Sequence, residues 1–126
     1  MAKDAPKARL EHSEQVTLMQ WWAIAHHSFG VPEPLLFAIP NGGLRNVITA
    51  KNMKAEGVRP GVPDLFLAVS RGGSHGLFIE MKRTKGGRVS DSQESMLGLL
   101  SERGYQAIVC KGWVAAKDAI EAYLRK

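Results

Sequence analysis

The chain has 126 residues, 44% of them hydrophobic and 23% charged, which fits a globular protein with one modest core. Its one cysteine, Cys110, excludes an intramolecular disulfide and a cysteine-rich zinc site, and no apolar run approaches the roughly 20 residues needed to span a bilayer. The net charge of +5 and the pI of about 9.6 favour a polyanionic partner.

Residues 1–11 read as a flexible, charged lead-in, and 12–126 as a single domain. The polar start, Met1 to Lys7, carries no signal-peptide core, so a cytoplasmic location without membrane association is expected. A helix is predicted from Ser13 to Ser28, with Ser13 as N-cap and Leu18, Trp21, Trp22, Ala25 and Phe29 as its inner stripe. Leu35 to Ile39 reads as a short buried strand stopped by Pro40. Asn41-Gly42-Gly43 is a turn, and Asn46 to Glu56 a helix with Val47, Ala50 and Met53 or Lys54 on one side. A Gly- and Pro-rich loop from Gly57 leads into a strand, Pro63 to Val69. The stretch Ser70 to Gly76 suits a hairpin turn into a second strand, Leu77 to Lys82. A basic loop, Arg83 to Arg88, precedes a helix from Asp91 to Arg103. Ser90 is its N-cap, Gln93, Met96, Leu97 and Leu100 its inner face, and Gly104 its stop. Tyr105 to Cys110 is the last strand, and Val114 to Leu124 a closing helix with Ala116, Ala119, Ile120 and Tyr123 inward. This order predicts an α/β fold, a mixed central sheet flanked by helices, with a crossover helix between the last two strands.

The chemistry concentrates on the two central strands. With period-two alternation, Phe78, Glu80 and Lys82 share one face, and Leu77, Ile79 and Met81 the other. Folding the hairpin about Gly73 places Asp64 opposite Lys82 and diagonal to Glu80. Two hard oxygen ligands in one small site suit Mg²⁺ or Mn²⁺, with the Met81 carbonyl as a further ligand. Such a site cuts phosphodiester bonds by activating water and neutralising phosphate charge. Lys82 is placed to orient that water and stabilise the transition state. The alternative is a strand end with ordinary surface charges.

Glu14 lies on the inward side of the first helix, where a carboxylate needs a partner. A metal would serve, as would backbone N–H groups. Gln93 either holds a catalytic carboxylate or water, or closes a capping box with Ser90. Lys82, Arg83, Lys85 and Arg88 put four cations into seven residues, a loop that can follow a phosphate backbone or stay merely solvated. Asn41 and Arg45 form a second candidate contact with that backbone. The four histidines make no ligand pattern, the tryptophans and Cys110 read as core, and no nucleotide-cradling loop is present, so no nucleotide cofactor is expected.

Taken together, the Glu14 helix, Asn41-Gly42, Gly57 to Gly61, Pro63-Asp64, Glu80-Met81-Lys82 and Gln93 resemble the VRR-NUC domain, the virus-type replication-repair nuclease of the PD-(D/E)xK superfamily. The resemblance runs from about residue 11 to residue 110. It implies a restriction-endonuclease-like αβββαβ core and Mg²⁺- or Mn²⁺-dependent hydrolysis of DNA to 5′-phosphate and 3′-hydroxyl ends. By that resemblance Asp64, Glu80, the Met81 carbonyl and Glu14 hold metal, Lys82 is the catalytic lysine and Gln93 the supporting glutamine. Stand-alone members look like phage or bacterial proteins that act as homodimers on branched DNA, including Holliday junctions. Two rival readings stand beside this one: a sequence-specific restriction-like endonuclease, and a catalytically silent nucleic-acid-binding module.

Overall fold

The computed structural model describes residues 7–40 and 47–126, with side chains from Glu11 to Pro40 and from Ala50 onward. In chain order the elements are α1 (Lys7–Phe29), a 3-10 turn (Glu33–Leu35), β1 (Leu36–Ala38), α2 (Val47–Ala55), β2 (Leu65–Leu67), β3 (Leu77–Lys82), α3 (Asp91–Glu102), β4 (Gln106–Lys111) and α4 (Trp113–Leu124). The sheet runs β1-β2-β3-β4. Its first two pairings are antiparallel and β3–β4 is parallel, so the expected mixed sheet with its α3 crossover is present.

One face of this sheet is closed. Leu65, Leu67, Leu77 and Ile79 are 0% exposed, and they pack with Leu18, Trp22, Ala116, Ile120 and Tyr123 from α1 and α4. Each buried Leu or Ile side chain contributes roughly 1.5–3 kcal/mol by leaving water. Polar anchors tie this layer down. Trp22 Nε1 donates to the Glu33 carbonyl at 2.9 Å, His26 Nδ1 to the Val31 carbonyl at 2.8 Å, and the Tyr123 hydroxyl to the Val69 carbonyl at 2.6 Å. Cys110 belongs to the same core, where burial pushes its thiol up to about 11 and keeps it unreactive.

Three expectations about elements are corrected. The first helix starts at Lys7, so Ser13 lies inside it and its carbonyl accepts from the Thr17 hydroxyl instead of Ser13 capping. The charged residues before Ser13 are good helix formers, and charge alone does not make a lead-in. The Leu36 strand is not buried throughout: it is an edge strand, with Leu36 inside and Phe37 and Ala38 exposed. In α2, Ala50 and Lys54 are exposed and Met53 is half-buried, so residues 50–55 form no buried face.

The hairpin register also differs from a fold about Gly73. Gly72 and Gly73 (φ +54° and +85°) form a two-residue turn between Arg71 and Ser74, the backbone geometry of a type I′ connection. Beyond it, three residues on the β2 side (68–70) face two on the β3 side (75–76), and the ladder resumes with Leu67 opposite Leu77. The turn centre between Gly72 and Gly73 and this extra residue each shift the register by one, which sets Leu65 against Ile79 and carries Asp64 alongside the Glu80–Met81 peptide instead of Lys82.

Candidate active site

β3 splits its side chains as the alternation requires. Leu77, Ile79 and Met81 enter the core, while Phe78, Glu80 and Lys82 stand on the other face. Glu80 and Lys82 are nonetheless only 3% and 4% exposed. Charges that deep need partners. Lys82 Nζ lies 3.6 Å from Glu80 Oε2. Asp64, just before β2, accepts at Oδ2 from the Met81 N–H at 2.7 Å, and its own carbonyl accepts from the Ile39 N–H. Thus Asp64 is held by backbone on both sides, at the point where β1, β2 and β3 meet.

Gln93 joins this group from α3. Its Nε2 donates to Glu80 Oε2 at 3.0 Å, while its Oε1 accepts from the Ser90 N–H at 2.9 Å. The Ser90 hydroxyl accepts in turn from the Gln93 N–H, completing a capping box. One end of the Gln93 amide thus closes the capping box and the other holds the Glu80 carboxylate. Gly61 brings the strand and the helix start together: with φ +84° it lies so close to the Ser92 carbonyl that any side chain there would collide with backbone.

The electrostatics follow from this crowding. Burial and the neighbouring Asp64 carboxylate raise Glu80 from 4.5 to about 8, with Lys82 opposing the rise. Glu80 Oε1 is buried and has no hydrogen-bond partner among the described residues. Two close carboxylates, one with an orphaned buried oxygen, form a cation-accepting donor set. No group of three or more His, Cys, Asp or Glu side chains able to hold a metal occurs among the described residues. The donor set still fits Mg²⁺ or Mn²⁺, since Mg²⁺ commonly takes one or two protein carboxylates and completes its shell with water and phosphate oxygens.

Glu14 is not gathered into this pair. Its Oε1 accepts from the Trp113 N–H at 2.8 Å, capping the first turn of α4. In place of a third carboxylate ligand, the structure shows a tie between α1 and the end of β4. Partner capture by a backbone group 99 residues away has no signal in local sequence. In the basic loop, Lys85 and Arg88 are exposed, whereas Arg83 is half-buried with its guanidinium against Gly86. Asn41 and Arg45 lie outside the described residues. One cation escaped the sequence reading: Lys111, opposite Lys82 in the β3–β4 ladder and exposed. The signal was its place at a strand end parallel to Glu80-Met81-Lys82, which depends on a register that the sequence leaves open.

A mixed sheet with helices on its faces, and an Asp-Glu-Lys-Gln cluster at the sheet's junction with Glu80 and Lys82 buried and Asp64 and Gln93 half-buried, define an α/β domain with one polar centre. The VRR-NUC domain family model matches residues 6–113, and the chain belongs to that family. A solved structure described as a VRR_NUC domain protein is similar over 91% of this chain and 88% of its own length, at 28% identity and a TM-score of 0.79. No curated protein matches the chain.

Proposed function

We propose that this protein is a divalent-metal-dependent DNA endonuclease that hydrolyses phosphodiester bonds, selective for branched DNA such as four-way junctions. The observation that carries this reading is the convergence of Asp64, Glu80, Lys82 and Gln93, three of them linked through a single oxygen, Glu80 Oε2. Asp64 and Glu80 would hold Mg²⁺ or Mn²⁺, with the Met81 carbonyl beside them. The ion, when bound, supplies charge neutralisation at the scissile phosphate and lowers the pKa of a water.

The chain's own groups do the rest. Gln93 fixes Glu80 through one carboxylate oxygen and leaves the orphaned Oε1 for the cation. Lys82, buried and paired with Glu80, presents an ammonium already desolvated and oriented. It holds the attacking water in line and stabilises the charge that builds on the phosphoryl oxygens. The product ends are a 5′-phosphate and a 3′-hydroxyl. Glu14 acts through the frame, by fixing α4 against α1. Exposed Lys85 and Arg88 contact the DNA backbone without reading sequence.

A homodimer would set two such sites on two strands of one junction, giving paired nicks. The protein would work in the cytoplasm of a bacterial or phage-infected cell. No helix among the described residues is long and apolar enough to cross a membrane.

The test is cleavage of a labelled four-way junction and a linear duplex, with and without Mg²⁺ or Mn²⁺. Junction cleavage abolished by EDTA is expected. Binding without metal-dependent cleavage would identify a silent binding module, and cutting at one linear sequence would identify a restriction-like enzyme. Sedimentation at micromolar concentration reads the dimer.

A further inference from the structure

Resting on that nuclease reading, we infer that Lys111 is a second phosphate-binding lysine of the site, gripping the DNA backbone beside the phosphate that is cut. β3 and β4 run parallel, with Met81 opposite Cys110 and Lys82 opposite Lys111. Residues paired across neighbouring strands share a face. Met81 and Cys110 are both in the core. Lys82 and Lys111 therefore stand together on the face that carries Glu80, their strands about 4.8 Å apart.

The two lysines are treated oppositely. Lys82 is buried and held by Glu80. Lys111 is exposed, and none of the ion pairs among the described residues includes it. Like charges side by side on adjacent strands destabilise a sheet. A polyanion lying across both strands turns that repulsion into attraction. Lys82, fixed in the interior, serves the reacting phosphate alone. Lys111, on a long mobile stem, reaches the next one.

A second observation joins Lys111 to the basic loop. The Gly112 N–H donates to the Lys82 carbonyl at 2.8 Å. Gly112, at φ +87°, also sits so close to Thr84 that an added Cβ would meet the threonine methyl at 2.6 Å. The turn after Lys111 is thus packed on the loop that exposes Lys85 and Arg88. Lys111 thus stands next to Lys82, and the turn that follows it adjoins the loop from which Lys85 and Arg88 are exposed.

Binding of a fluorescein-labelled four-way junction, with Ca²⁺ present and salt varied, tests this, together with Mg²⁺-dependent cleavage kinetics. Lys111→Ala should raise Kd and KM about five- to tenfold, leave kcat within about twofold, and reduce the salt slope by about one ion. Lys111→Arg should restore all three, and Lys111→Glu should weaken binding further, while the melting temperatures of Lys111→Ala and Lys111→Glu stay at or slightly above that of the wild type because the repulsion from Lys82 is relieved. If the wild type cuts, Lys82→Ala does not, and Lys111→Ala keeps the wild-type Kd and salt slope, this assignment alone is overturned. A fall in kcat with Kd unmoved overturns it equally. If the wild type neither binds nor cuts the junction, the nuclease reading falls and takes this one with it.

Discussion

The two faces of β3 make opposite uses of the same strand. Towards α1 and α4, Leu77, Ile79 and Met81 are sealed in apolar contact. Towards α3, Glu80 and Lys82 are nearly as deeply buried but polar, and α3 itself contributes no buried residue. The closed face gives the strand a fixed position. The other face uses that rigidity to hold charges that would drift apart on a flexible segment. Stability and chemistry are therefore separated by one residue of register.

Substitutions on alternate residues should break the molecule in different ways. The largest effect is expected from Glu80→Gln or Lys82→Ala, each lowering cleavage by about 10²–10³-fold or more while DNA binding persists. Single-turnover kinetics beside anisotropy would show it, and a fully active Glu80→Gln would sink the site. Ile79→Ala, one position away, should instead cost about 2–5 kcal/mol of stability by opening a cavity, read in urea unfolding.

The third effect is one of pH. Glu80 in the folded protein titrates near 8, against an ordinary 4.5. Between those values the metal-free fold keeps a proton that the unfolded chain has released. Its stability should therefore fall as pH rises from about 5 to 8, by up to ~1.4 kcal/mol per pH unit, and level off above. Glu80→Gln should flatten that slope, and Mn²⁺ should raise the melting temperature most at the alkaline end. The smallest effect separates the ends of the Gln93 amide. Gln93→Ala should slow cleavage about 10- to 100-fold and cost about 1 kcal/mol. Ser90→Ala should cost similar stability but leave cleavage nearly intact.

What could be read in advance follows from how local each signal is. The bounds of β3 and its alternation were legible because Leu-Phe-Ile-Glu-Met-Lys carries its own period. Ser90 and Gln93 announced the start of α3 because a capping box spans four residues. The gathering of Asp64, Glu80 and Lys82 followed from the hairpin even with the register misjudged, since either register leaves Asp64 at the same end. The misjudgement came from a turn centred between Gly72 and Gly73 instead of on Gly73, and from one extra residue on the β2 side ahead of it, which has no compositional mark. Glu14 was rightly read as needing a partner, but that partner is the backbone of α4, reached only through the packing of α1 on α4. Lys111 lies one residue beyond the strand predicted from Tyr105 to Cys110, and only the parallel pairing of β4 with β3 sets it opposite Lys82.

The two bonds that join the early chain to the start of α4 have a consequence for the newly made protein. Glu14 meets Trp113, and the Lys82 carbonyl meets Gly112. A ribosome translates nearly the whole domain before either late partner emerges from its exit tunnel. Until then β3 has a bare edge where β4 will dock, and Glu14 lacks its acceptor role at α4. The site's frame thus closes only after residues 112 and 113 have been made, and a chain stopped before β4 that carries Asp64 and Glu80 lacks the strand and helix that hold them in shape.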